Sequence, residues 1–415
     1  MSMRAAPALQ RTGPRPVVLQ AALIKVTETL ARELACPTAA RPNWSDFEWK
    51  VAQAVAALHG VSPLLEGVLR WDGPSSWLGF LKEQRAHVTR RHARIEKLLM
   101  RIDRLAHAEG IPAVALKGAA LHAMDLYQKG ERPMADVDLL VHPRDIERSA
   151  RMIDSLGYHE YRRSWKERAF APRERHAAGE LGEHSLNDIT IELHDRICEK
   201  LPLHTTDVTE IVFPPQPVPG LNRYPSRAAL MAHLLLHSAG SMVFQSLRLV
   251  QLHDLALLAD RMTAVDWDEL VQRRSAERAL WWALPPLQLM TRYYGLRAPE
   301  RVLGSLEAQC PRHLRRAMRG RILSDVSFSH LWVDAFPGIE WSQSVRDMLS
   351  YARSRVRPDA EHLALRSKTT ATQPWAGGSS WSTASQTRRI LRWVVRRQMR
   401  PATMHVVRAA LAPAQ

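Results

Sequence analysis

Residues 115–141 read ALKGAALHAMDLYQKGERPMADVDLLV, and this stretch decides how the rest of the chain is read. A Lys-Gly turn (Lys117, Gly118) leads into a short helical run. A Pro-containing loop then delivers Asp136-Val137-Asp138 into an apolar Leu-Leu-Val strand. Residues two positions apart on a strand point to the same face of a sheet, so both carboxylates share a face. Two such groups buried without partners cost several kcal/mol and raise each other's pKa. The strand therefore either exposes that face or uses it to hold cations. For an all-oxygen site the usual cation is Mg²⁺, bound by one or two carboxylates together with substrate phosphates.

Outward from this stretch the hydrophobic period changes twice. Residues 1–16 carry no apolar periodicity and are expected to be disordered. From 17 to 110, QAALIKVTETLAREL, FEWKVAQAVAALHG and ARIEKLLMRIDRLAHAEG place apolar residues at helical spacing, with Gly60 and Gly110 where helix C-caps fall. Residues 111–212 contain strand-like runs at 112–116, 136–141 and 158–165, separated by short helices. There Ile189-Thr-Ile-Glu-Leu-His194 alternates strictly, with Glu192 on the polar face. The Pro-rich FPPQPVPG (213–220) marks a boundary, after which residues 213–360 return to helical spacing. Residues 361–415 form a Ser/Thr/Gly-rich linker and a basic amphipathic tail. The order is helices, a compact α/β unit, then helices again.

Composition sets limits on function. The 415 residues carry a net charge of +16. After Glu361 no acidic residue occurs, while Arg366, Lys368, Arg388, Arg389, Arg392, Arg396, Arg397, Arg400 and Arg408 follow, so about half of the excess lies in the tail. The body is only mildly basic, which argues against a fold devoted to nucleic-acid binding. Residues 388–400 (RRILRWVVRRQMR) suit an anionic membrane surface or a phosphate backbone. Cys36, Cys198 and Cys310 have neither zinc spacing nor a disulfide framework, so the expected compartment is the reducing cytoplasm. The N-terminus lacks the apolar core of a secretory signal.

Three acids on neighbouring strands, after a glycine turn that opens a helix, suit phosphoryl transfer, which needs phosphate charge neutralised and the reacting groups aligned. Asp136, Asp138 and Glu192 are the candidate metal ligands and catalytic residues. Gly118 and Ala119 are candidates for bringing backbone amides to the phosphates, and Lys117 and Arg132 for pairing with them. His194, His233 and His237 read as structural histidines.

The combination LKGAALHAMDLY…RPMADVDLLV followed by ITIELH resembles the uncharacterised bacterial nucleotidyltransferase-like family within the DNA polymerase beta nucleotidyltransferase superfamily. The superfamily pattern is a glycine turn, an Asp-x-Asp or Asp-x-Glu pair, and a third acid on a later strand. The turn here is Gly118-Ala119, the pair Asp136 and Asp138, and the third acid Glu192. Ala119 departs from the small hydroxyl residue often found there, and the interval from Gly118 to Asp136 is longer than in minimal members. The resemblance covers roughly residues 45–300. It implies an α/β (α+β) fold, a small mixed-sheet nucleotidyltransferase core flanked by N-terminal and C-terminal helical subdomains. It also implies Mg²⁺ or Mn²⁺ as cofactor, and a nucleoside triphosphate, by default ATP, as donor to an unidentified small-molecule, protein or RNA acceptor. The alternatives are a catalytically silent nucleotide-binding scaffold on the same fold, and a nucleic-acid or membrane binder acting through the tail.

Overall fold

The structure is a computed structural model describing residues 14–174, 176, 181–272, 279–358, 385–395 and 397–412. The expected linker at 366–387 lies largely outside these residues, as does nearly all of the segment expected to be disordered. Four helices open the chain: α1 (Pro16–Ala35), α2 (Asp46–Leu58), α3 (Ser62–Val68) and the long α4 (Ser75–Ala108). Helix α2 starts where Ser45 and Glu48 form a reciprocal capping box, each side chain taking up the other's free amide.

The α/β unit follows as β1 (Pro112–Ala115), α5 (Gly118–Ala123), β2 (Asp136–Val141), α6 (Ile146–Ser155), β3 (Tyr158–Arg163), β4 (Arg168–Pro172) and β5 (Thr190–His194). A hairpin of β6 (Cys198–Leu201) and β7 (His204–Asp207) and a short α7 (Thr209–Val212) lead to β8 (Gly220–Asn222). The main sheet has the order β3-β4-β5-β2-β1-β8 and is mixed: β2 runs parallel to β5 and antiparallel to β1. Strand β8 begins at the last residue of the segment read from sequence as a domain boundary. It extends the sheet past residue 212 by pairing with β1, which three residues of low strand signal did not announce.

The sheet has two unlike faces. Val137, Leu139, Val141, Ile191 and Leu193 face one core with Ile95, Leu98 and Ile102 of α4 and Met152 and Ile153 of α6. On the other face Val114, Leu116 and Leu140 join a larger core built by the helical body. That body contains α8 (Arg227–Val243), α9 (Leu249–Ala259), α10 (Ala264–Gln272), α11 (Leu284–Tyr294), α12 (Glu300–Gln309), α13 (Arg312–Met318) and α14 (Val345–Val356). After α15 (Gln386–Val395), α16 (Pro401–Leu411) returns to pack on α2.

The helical segments before and after the sheet share this one core: Leu23, Leu30, Val55 and Trp77 belong to it together with Leu235, Leu252, Trp282 and Val407. The two helical subdomains drawn from sequence are therefore packed as one layer, and α16 of the expected tail is part of it. Apolar periodicity shows that a helix buries a face but not what lies against it. Among the described residues no single helix is long and apolar enough to cross a membrane.

His59 ties the two halves of this layer. The Leu249 amide at the start of α9 donates to its Nδ1 at 2.9 Å, so the ring proton sits on Nε2, 3.0 Å from the Ser329 hydroxyl. Burial, with the nearby Arg248 charge, lowers its pKa to about 3. Protonation would aim an N–H at another N–H. The neutral ring's contribution is complete above pH 6.5 and is lost as pH falls from there towards 3, at up to about 1.4 kcal/mol per pH unit. Urea unfolding across that range should show this loss. His59→Gln should be less stable at neutral pH and lack this component of the slope.

Candidate active site

The acids stand on the sheet face that meets the helical body. Strand β1 ends at Ala115, and the chain turns sharply at Lys117, whose φ of 46° and ψ of −115° lie in a region that favours glycine. A non-glycine residue held there costs about 1–3 kcal/mol and persists only when its surroundings fix it. Two contacts do so. The Lys117 amide donates to the Tyr224 hydroxyl at 3.4 Å, and its ammonium donates to Asp138 Oδ1 at 2.8 Å. Tyr224 in turn donates to Nδ1 of buried His233 at 2.7 Å. Burial and the Lys117 charge hold His233 well below the ordinary histidine pKa, leaving it neutral to accept that bond.

Strands β2 and β5 pair in parallel with Asp138 beside Glu192 and Leu140 beside His194. Asp138 is only 4% exposed and His194 1%. His194 Nε2 donates to Asp138 Oδ1 at 3.1 Å and lies 3.9 Å from Glu192. Its Nδ1 is buried without a hydrogen-bond partner among the described residues. Single ligand atoms of Asp138, Glu192 and His194 all fall within 4.8 Å of one another, close enough to share one cation. Glu192 also accepts from Arg162 at 3.1 Å, and Arg162 pairs with Glu167 at 2.7 Å.

Electrostatics divides the three acids. Burial pushes Asp138 up, but the Lys117 charge and the His194 hydrogen bond outweigh it and hold Asp138 well below the usual carboxylate range. Glu192 is pushed well above that range by burial and by the Asp136 and Asp138 charges. Asp136 is raised by burial and by Asp138, against the opposing charges of Lys117, Arg248 and Arg132. Burial opposes the charge on Lys117, but the three carboxylates raise its pKa and keep it an ammonium. One firmly ionised acid thus lies beside two whose pKa values are raised.

A family model described as an uncharacterised nucleotidyltransferase matches residues 45–295. The chain belongs to that family. Comparison with curated proteins and with solved structures finds no match. The matched region runs from just before α2 to just after α11 and includes the glycine turn, all three acids and the first helices of the body that covers them.

Not every residue singled out by the sequence meets the others. Gly118 has no room for a side chain: a Cβ would collide with Arg132 Nη1 and come within 2.8 Å of Met134 Cγ. The Ala119 amide donates to the Leu116 carbonyl at 3.2 Å and the Lys117 amide is taken by Tyr224, so these two amides are committed within the protein. Arg132 lies against Gly118 and is paired within the protein. Its Nε and Nη2 donate to the two oxygens of Asp254 on α9, both at 2.8 Å, and Tyr127 donates to Asp254 Oδ1 at 2.6 Å. The sequence offered acids at 136 and 138 as partners for Arg132; the fold supplies a more distant one. Of the four expected phosphate contacts, Lys117 alone reaches the carboxylates directly.

Two residues that sequence reasoning missed hold the site in shape. Asp254 was legible only as an acid beside His253 in an apolar helix. Arg91, one arginine among several on α4, is buried and bonds to four backbone carbonyls. Its Nε donates to Met134 at 3.1 Å, Nη1 to Asn187 at 2.5 Å, and Nη2 to Ala135 at 2.9 Å and Asp188 at 3.1 Å. These carbonyls precede β2 and β5, so one guanidinium fixes the relative position of the two acid-bearing strands. An acidic residue in an apolar helical run was a usable signal for Asp254. Arg91 offered none.

Two outcomes follow. Asp254→Ala leaves Arg132 buried without its counter-charge and should lower unfolding free energy by about 3–5 kcal/mol in urea titration. Arg91→Lys keeps the charge but loses the planar fork, so it should cost about 1–3 kcal/mol and speed amide exchange along β2 and β5.

Proposed function

We propose that this protein transfers a nucleoside monophosphate from a nucleoside triphosphate to a hydroxyl-bearing acceptor and releases pyrophosphate, with Mg²⁺ or Mn²⁺ as cofactor. The observation that carries this reading is the side-by-side placement of Asp138 and Glu192 on parallel strands, with His194 beside both, in a chain of a nucleotidyltransferase family. The donor set fits a divalent ion. Asp138 and Glu192 supply oxygens, half-buried Asp136 lies on the same strand face, and the raised pKa of Glu192 reflects charge still to be balanced. When bound, the ion neutralises triphosphate charge and polarises the transferred phosphoryl group.

The chain's own residues then have distinct tasks. Asp138 is kept ionised by Lys117 and oriented by His194. Glu192, the most basic of the three when no cation is present, suits accepting the proton of the acceptor hydroxyl. The acceptor oxygen forms a bond to the α-phosphorus while the bond to the pyrophosphate oxygen breaks. Lys117, on a flexible stem at the turn, can exchange Asp138 for a phosphate oxygen. ATP is the first donor to examine, and the three cysteines, unpaired among the described residues, suit the cytoplasm.

A silent nucleotide-binding scaffold is the second reading. It draws on a specific observation: Lys117 already pairs with Asp138 and Arg162 with Glu192, so much of the acidic charge is balanced within the protein. A nucleic-acid or membrane surface at residues 388–400 draws less support. Arg389 is buried. Arg400 bonds to the Gln245 carbonyl and stacks 5.9 Å from the Phe328 ring, with its pKa lowered to about 10 by burial.

Incubation with α-labelled ATP, Mg²⁺ and cell extract should label an acceptor. Chelation with EDTA should abolish the label, and Asp138→Asn should reduce it by about a hundredfold or more, as expected for loss of an ionised group at the reacting centre. Binding of a nonhydrolysable ATP analogue without any transfer would favour the scaffold.

A further inference from the structure

Two cavities flank the row of acids, and they differ greatly. On the Lys117 side, the space bounded by His194, Glu199, His233 and His237 is about 10 Å³, room for one water. On the Asp136 side a pocket of about 220 Å³ reaches Ala135, the residue immediately before Asp136. Its remaining walls include Glu183, Arg248, Phe328, Ala402 and Val406. Glu183 is engaged, its carboxylate 3.3 Å from Arg91. Arg248 is exposed at the rim with its guanidinium 5.7 Å from the Phe328 ring centre; it makes no ion pair among the described residues, its charge acting on Asp136 at longer range. Arg400 stacks on the same ring from outside the pocket, and Phe328, Ala402 and Val406 make an apolar wall beside Arg248.

We propose that this pocket is the acceptor subsite, and that the acceptor has an apolar body with an anionic group that pairs with Arg248. The assignment rests on the nucleotidyl-transfer reading and adds to it the place and chemical class of the second substrate. Three observations support it. The pocket is lined by Ala135, next to Asp136 in the chain, and by Arg248, whose charge acts on Asp136, so an acceptor held here lies close to the acids. Arg248 makes no ion pair among the described residues, and Phe328, Ala402 and Val406 give the pocket an apolar side, which suits an anion joined to apolar surface. Its walls also come from two sources. Ala135 and Arg248 lie within the region the family model matches, whereas Phe328, Ala402 and Val406 lie beyond residue 295. The C-terminal helix α16 thereby becomes a specificity wall placed next to shared chemistry.

The test uses the full chain with α-labelled ATP, Mg²⁺ and cell extract as acceptor source, and a nonhydrolysable ATP analogue with Mg²⁺ for binding. Arg248→Ala changes an exposed side chain and should reduce transfer about tenfold or more, as for loss of a charge-assisted hydrogen bond, with analogue affinity within about threefold of wild type. Arg248→Lys should recover part of the transfer, and Ala402→Trp, which fills the pocket, should block it with analogue binding kept. Transfer that survives both Arg248→Ala and Ala402→Trp would overturn the assignment alone. So would a parallel loss of analogue affinity in Arg248→Ala, which would make the pocket part of the nucleotide site. Absence of transfer by the wild type would overturn the nucleotidyl-transfer reading and this assignment with it.

Discussion

The buried Asp138 carboxylate is the constraint on which the rest of the site depends. It is 4% exposed on a sheet face covered by helices, where an unpaired charge would cost several kcal/mol. Lys117 and His194 supply the compensation, at 2.8 and 3.1 Å. To reach Asp138, Lys117 adopts a backbone conformation that L-residues disfavour, and the Tyr224–His233 pair holds the turn in place. A strained turn, a buried ion pair and a packing helix are thus consequences of one acid placed on an inner face.

Around that acid the protein spends its cations on position. Arg91 holds the approaches to β2 and β5, Arg132 joins the loop before β2 to α9 through Asp254, and Arg162 restrains Glu192. Such groups keep the carboxylates close despite their mutual repulsion, which is what a divalent ion requires of its site. The division between Asp138, held low, and Glu192 and Asp136, pushed up, follows from the same arrangement. The first has Lys117 and His194 at hydrogen-bond distance, while the others carry more uncompensated like charge.

Much of the site was legible in the chain itself. The period-two pattern in ITIELH puts Glu192 opposite Ile191 and Leu193, and the structure keeps that separation, with the two apolar residues in the core beneath α4 and α6. Asp136–Val141 is a strand with the bounds its apolar run suggests. The partner of Arg132 was not legible, because Asp254 is 122 residues away. His194 looked structural because one histidine on an alternating strand gives no sign of its neighbour. The parallel pairing with β2 brings it to Asp138.

The sequence by itself determined which residues could do chemistry: an Asp-x-Asp pair, a third acid on the polar face of an alternating strand, and a glycine turn before them. These are local patterns, set by side-chain periodicity and backbone sterics, so they survive in one dimension. Only the tertiary structure decided which of those residues meet, because register between strands and the choice of buried counter-charges depend on packing across long intervals of chain. It paired Arg132 with Asp254, brought His194 to the acids, and returned α16 to the helical layer. In each case burial left a polar group or an apolar face in need of a partner, and the partner was remote in sequence.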